Sequence, residues 1–255
     1  MFFDSHAHLD DTQFQEDRDA LLDSLRPAGI DFVMNAASDL PSARRSIILA
    51  KRYPWIYAAV GVHPSDAAEM METDMDEVRL LAGEDKVKAI GEIGLDYHYE
   101  NTDRERQRHW FRRQLQLAQE LDLPVIVHDR DSHQDCLDIL HAFDLKKTGG
   151  VMHCFSGSAE MAREVIRMGM FISVAGPVTY KNAVKTVQVV EEIPLEHLLI
   201  ETDSPYLSPV PLRGTRNNPA NVRHVAQKVA DIKGMDVADV ARITAENAKR
   251  LFHIV

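Results

Sequence analysis

Cysteine is scarce: only Cys136 and Cys154 occur in 255 residues. So sparse a pair in so long a chain is not a disulfide framework. Both are expected to be small, partly buried apolar residues in a reducing compartment. An excess of positive charge is also missing, since 29 Lys and Arg face 40 Asp and Glu, a formal net charge of -11. That balance excludes a protein that coats nucleic acid through a broad basic face. It does not exclude an enzyme that holds a few phosphates in one pocket, because bound metal ions reverse the local sign. Long apolar runs are absent; none approaches the roughly 20 residues of a membrane span. The opening MFFDSHAHLDD lacks the basic and apolar regions of a signal peptide. A soluble, cytoplasmic protein with no membrane association is expected. Linkers, low-complexity tracts and short repeats are missing too, so residues 1–255 read as one domain.

What is present is an alternation. Apolar runs rich in Val, Ile and Phe lie at 2–6, 31–36, 56–62, 87–94, 124–128, 150–155, 170–175 and 197–202. Amphipathic stretches separate them, among them 104–122, where Trp110, Leu117 and Leu121 recur at helical spacing. Gly29, Gly149 and Gly169 stand where helices would stop. The stretch 219–252 reads as two further helices. Strands alternating with helices imply parallel βαβ units. Eight of them in about 250 residues fit a (β/α)8 TIM barrel.

Polar residues fall at one place on this pattern. His6 and His8 close the first strand, Glu92 the fourth, His128 the fifth, His153 the sixth and Asp203 the eighth; His63 follows the third. In a barrel of this kind the C-terminal ends of the strands converge on one mouth. Residues i and i+2 of a strand point the same way, so His6 and His8 are expected to chelate one ion with Ala7 turned aside. H-x-H alone is a weak signal. Four histidines and two carboxylates on one barrel face are not, because imidazole and carboxylate are the ligands of zinc, manganese and related divalent ions. Glu92 lies among glycines in AIGEIGLD, where backbone or ligand can approach closely, and can bridge two ions. Asp203 follows the apolar Leu198, Leu199 and Ile200; a carboxylate buried there must be paired or metal-bound.

Six blocks in this order carry a resemblance: DSHAHLD, GVHP, GEIGLDY, PVIVHDRD, HCFSG and ETDSPYL. Together they resemble the TatD family of metal-dependent deoxyribonucleases, within the amidohydrolase-like barrels, over essentially the whole chain. The resemblance implies a two-metal centre. His6, His8 and Asp203 would hold one ion, His128 and His153 the other, with Glu92 bridging where related barrels often use a modified lysine. A third, weaker metal contact at Glu201 becomes plausible, although a carboxylate that orients a ligand histidine is the favoured reading there. Two segments depart from the family pattern. Members commonly have HSRDA where this chain has His128-Asp129-Arg130-Asp131-Ser132-His133, and a basic residue then NEP where it has PLRGTRNNP. These departures bear on substrate, not on metal.

The expected chemistry is hydrolysis of a phosphodiester in DNA or an oligonucleotide, of 3'-5' exonuclease type. Two divalent ions, zinc, manganese or magnesium, would polarise the phosphoryl group and activate a water. Asp203 is the expected general base and Glu92 positions the ions. Around them, His63 is expected to contact a substrate oxygen or a water. Arg130, Arg213 and Arg216 would hold phosphates through the guanidinium fork, and Tyr206 would stack on a base. The charged run 104–113 reads as a solvated helix face and the methionines at 70–75 as packing. Two other readings stay open: a hydrolase of a small amide, lactone or ester on the same metal site, and a non-catalytic barrel acting as a binding protein. No obligate protein partner is evident, and a monomer suffices.

Overall fold

Eight apolar runs form eight parallel strands whose order in the sheet follows their order in the chain. The computed structural model describes residues 2–255. The strands are β1 (Phe2–Ala7), β2 (Ile30–Ala36), β3 (Ile56–Val60), β4 (Val87–Asp96), β5 (Val125–Arg130), β6 (Gly150–Met152), β7 (Phe171–Val174) and β8 (Leu198–Ile200). Between them run α1 (Arg18–Leu25), α2 (Leu40–Arg52), α3 (Glu72–Ala82), α4 (Arg104–Leu121), α5 (His133–Leu140), α6 (Leu145–Thr148), α7 (Ala159–Arg167) and α8 (Val184–Glu192). The last two helices, α9 (Val222–Lys233) and α10 (Val237–Leu251), follow β8 with no strand between them. This is the (β/α)8 barrel that the alternation predicts.

Local chemistry sets the elements. Asp39 caps α2 by accepting from the Ser42 N–H at 2.6 Å, and a proline stands in the first turn. Asp103 caps α4 in the same way, accepting from Arg106 N at 3.0 Å. That helix buries Trp110, Phe111, Leu115 and Leu117 against the sheet. Its charged face makes ion pairs to Glu72, Glu105 and Asp135, as expected of a solvated surface. No helix among the described residues is long and apolar enough to cross a membrane. Both cysteines are free thiols, Cys136 buried and Cys154 partly so.

Two features of the barrel decide where a site can form. Every strand contributes to a central cluster, from Phe3 of β1 and Met34 of β2 through Ile126 of β5 to Leu199 of β8. The end of α10 joins it with Leu251 and Phe252, the latter ring 6.1 Å from Phe3. Helix α10 therefore plugs the end of the barrel where the strands begin, and the opposite mouth is left for a site. The barrel closes through a parallel bridge between Ala7 and Ser204. His8 N donates to Ser204 O at 2.8 Å, and Asp203 N to His6 O at 3.0 Å. The hydrogen bonds of the seam thus seat Asp203 beside the two N-terminal histidines.

The strand limits differ from the expectation in ways that matter for the mouth. β6 and β8 are three residues each, so His153 lies just beyond β6 and Asp203 three residues beyond β8. β4 and β5 run on past their polar residues to Asp96 and Arg130 as a paired ribbon. The pairing of β4 with β5 slips between Ile90 and Ile93, and that of β1 with β2 between Asp4 and Ala7. Such irregularities re-aim side chains. Plain two-residue alternation is therefore not what brings His6 and His8 together: His8 lies outside β1, and the strand before it is bulged.

Candidate metal centre

The two oxygens of Glu92 face two different groups of ligands. Oε2 lies 3.2 Å from His6 Nε2 and 3.6 Å from His8 Nε2. Oε1 lies 2.8 Å from His128 Nδ1 and 2.7 Å from His153 Nε2. On the first side Asp203 Oδ1 completes the group, 3.3 Å from His8 Nε2 and 3.7 Å from His6 Nε2. All six residues expected to bind metal are brought together at the mouth. His63 joins them from the loop after β3, its Nε2 3.6 Å from Glu92 Oε1.

The far side of each ring says which nitrogen is bare. His8 Nδ1–H donates to the Ala36 carbonyl oxygen at 2.9 Å. His153 Nδ1 faces Glu201 Oε1 at 3.2 Å, and His128 Nε2 faces Asp96 Oδ2 at 3.2 Å. On these three rings an oxygen can hold the outward N–H, which would leave the inward nitrogen free to present a lone pair to a metal ion. Several lone pairs and carboxylate oxygens within 4 Å repel one another unless a cation lies among them. The donor set of imidazoles and carboxylates fits one or more divalent ions.

The charge balance agrees. Burial raises the Glu92 carboxyl, but His153, His6, His63 and the hydrogen bond to His128 outweigh it and hold it well below the usual range. Burial alone would lower the His8 ring, yet Asp203 and Glu92 push it up to about 9. The cluster takes up positive charge, which a metal ion would supply in place of protons. Asp203 is raised by burial and lowered more strongly by its contact with His8 and by the His6 and His153 charges, so it stays ionised. It adopts a left-handed backbone with φ of 55°, a conformation that Asp tolerates better than most residues.

His63 groups with Glu92 and His128 as a possible ligand set, but its ring is held differently. Ser65 N–H donates to its Nδ1 at 3.1 Å, so the proton of the neutral ring sits on Nε2, toward the site. Burial pushes this ring down to about 3, which keeps it neutral. It is thus arranged as a hydrogen-bond donor to whatever occupies the mouth.

Glu201 is buried beside His153, and with His6 and His153 it forms a further group of possible ligands. Its Oε1 accepts from Cys154 N at 2.8 Å as well as facing His153. This contact supports the orienting role that the sequence favours. Its Oε2 and the His6 Nδ1 are buried without a hydrogen-bond partner.

Above the centre opens a cleft of about 500 Å³. Arg130 and Tyr206 stand on its rim, as expected. Arg213 and Arg216 do not. Arg216 is bound to Asp17 at 2.5 and 2.8 Å and to the Gln13 carbonyl, and it lies over the Phe14 ring. Arg213 stacks on Tyr180, 4.2 Å from its centroid. In this structure both are held by neighbours on other loops, outside the cleft lining. Sequence reasoning missed Arg45, Asp96 and Tyr99, all of which line the cleft. For Asp96 a signal existed, the acidic residue inside GEIGLDY; for Arg45, in the helical run 42–53, there was none.

The comparisons with known proteins point the same way. The family model of the TatD related DNases matches residues 3–253. A metal-dependent hydrolase of Bacillus subtilis, YabD, named as uncharacterized, is 44% identical over the full length of both chains. A protein of Cronobacter sakazakii named 3'-5' ssDNA/RNA exonuclease TatD is 36% identical, covering 98% of this chain and 97% of the relative. The crystal structure of YjjV, a TatD homologue from Escherichia coli, superposes with a TM-score of 0.94 at 33% identity, covering 100% of this chain and 98% of that one. With those matches spanning the barrel from β1 to α10 and groups of possible metal ligands at the mouth, the chain belongs to the TatD family and is a metal-dependent hydrolase.

Proposed function

We propose that this hydrolase cleaves phosphodiester bonds in DNA or an oligonucleotide, working from a 3' end with two divalent ions at the mouth. The observation that carries the reading is the division of Glu92, one oxygen toward His6 and His8 and the other toward His128 and His153. That arrangement fits a carboxylate bridging two ions, which would activate a water and stabilise the charge of a phosphoryl group. Zinc, manganese and magnesium all suit the donor set.

The residues of the chain divide the remaining work. Asp203, ionised and beside both N-terminal histidines, accepts the proton of the attacking water. His63 donates from Nε2 to a non-bridging phosphate oxygen. Arg130, which lines the cleft with its guanidinium 5.9 Å from the Tyr99 ring centroid, offers its fork to phosphate on the rim. Tyr206 is 47% exposed, its hydroxyl donating to Asp11 Oδ2 at 2.7 Å, so its ring face is free to stack on a base. The exonuclease name of the Cronobacter relative supports the same substrate class. A hydrolase of small amides or lactones would have a closed pocket with fewer groups suited to phosphate; the open, Arg- and Tyr-edged cleft favours the nuclease.

The decisive assay uses 3'-labelled single-stranded DNA with Mg²⁺, Mn²⁺ or Zn²⁺. The wild-type protein is expected to release nucleotides, and Asp203→Asn to lose at least about 100-fold in rate with its fold intact. Absence of release with every metal, or full activity in D203N, would overturn the reading or the role of Asp203 respectively.

A further inference from the structure

A second cation lines the cleft besides Arg130. Arg45 lies on α2 and lines the cleft beside the loop that follows His8. Arg130 closes β5. In barrel order Arg45 follows β2 and Arg130 ends β5, with the Glu92 strand β4 between them.

Arg45 is held in place from below. Its Nη2 donates to Asp10 Oδ2 at 3.2 Å. Asp10 is almost fully buried, 4% exposed, and its other oxygen is bound by Asn35 Nδ2 at 3.0 Å and Ser46 Oγ at 3.4 Å. The backbone of this loop is fixed as well. Arg18 donates to the carbonyls of Leu9, Asp10 and Asp11 at 2.7, 3.0 and 2.8 Å. A carboxylate so placed is an anchor for the guanidinium. The anchor uses one nitrogen of Arg45, whose side chain as a whole is 49% exposed, so its other N–H donors remain for a ligand in the cleft. Arg216 shows the contrast, with both terminal nitrogens engaged on Asp17.

We propose that Arg45, positioned by buried Asp10, binds a phosphate next to the scissile one. The substrate class of the cleft would then be a strand with at least two phosphates, not an isolated phosphodiester. The proposal rests on the phosphodiesterase reading. It follows from position: the proposed ligands are buried or mostly buried at the floor, whereas Arg45 is half-exposed at the edge of the cleft, where a neighbouring nucleotide would lie. Arginine suits this task because its planar fork matches two phosphate oxygens.

The test compares two substrates with the metal-loaded enzyme: a 3'-labelled single-stranded oligonucleotide, and bis(p-nitrophenyl) phosphate, which carries one phosphate only. Arg45→Ala is expected to lower kcat/KM on the oligonucleotide about 10- to 100-fold more than on the small diester, mainly through KM. The salt dependence of log(kcat/KM) on the oligonucleotide should flatten by about one phosphate contact. Arg45→Lys, which keeps the charge and loses the fork, should fall between wild type and R45A. Equal losses on both substrates would mean that Arg45 acts only through the fold of the mouth, and no loss on either that it does not meet substrate; each overturns the inference alone. A wild-type enzyme inert on both substrates overturns the phosphodiesterase reading and this one with it.

Discussion

A single side chain, Glu92, organises the mouth, and its neighbours explain why it can. Gly94, two residues on, has φ of 143° and packs against the backbone of His128. A Cβ there would fall far inside van der Waals contact of the His128 carbonyl oxygen. The glycines around Glu92 thus serve the approach of β5 rather than of a ligand. Gly94→Ala is expected to cost about 3 kcal/mol or more, because strained backbone and overpacking add. It should also weaken metal binding by moving His128. Urea melts and metal titration check both; a variant with wild-type stability would show that the two strands can part freely. The convergence of the six proposed ligands was legible from sequence because each is a metal-binding type at the end of an apolar run. Asp96 and Glu201 were harder, since their work is done on the far nitrogen of a histidine contributed by another strand.

Between elements, the hydrogen bonds that matter join segments distant in sequence. Asn247 of α10 is buried and donates to the carbonyls of Leu195 and Leu198 at 2.8 and 2.9 Å, tying the terminal helix to the start of β8. Asn247→Ala would leave these acceptors short of a donor in a dry environment, at about 2 kcal/mol. A fall in the urea midpoint with an unchanged slope is the expected signature. Helix periodicity predicts α10 but not this tie. Likewise the apolar runs locate β4 and β5, whereas their extension into a ribbon ending at Asp96 and Arg130 comes from mutual pairing. β6 and β8 are shorter than their apolar runs, because the chain leaves the sheet where His153 and Asp203 turn into the mouth.

The molecule as a whole is acidic, and its mouth gathers imidazoles and carboxylates that take up positive charge, from protons or from a metal ion. Metal binding should therefore stabilise the fold by mass action. At about 100 times Kd the gain is about 2.7 kcal/mol, or about 5–10 °C in Tm for a chain of this size. Thermal melts with Mn²⁺ or Zn²⁺, against a chelator, measure it. The double variant His6→Ala, His8→Ala should lose most of the shift; a Tm indifferent to metal and chelator would contradict the ligand assignment. The seam through Ala7 and Ser204 makes the same point, since closing the barrel and placing Asp203 beside His6 and His8 are one event.

The alternation of strands and helices, the metal-ligand types and their placement near strand ends were determined by the sequence itself. These are local properties: hydrophobic period, caps and residue chemistry act over a few positions. The choice of cations for the cleft was decided only in three dimensions. Arg216 is claimed by Asp17 and Arg213 by Tyr180, while Arg45 is lifted to the rim by Asp10. Long flexible side chains go to whichever partner the fold brings near, and no pattern along the chain encodes a pairing across 199 residues.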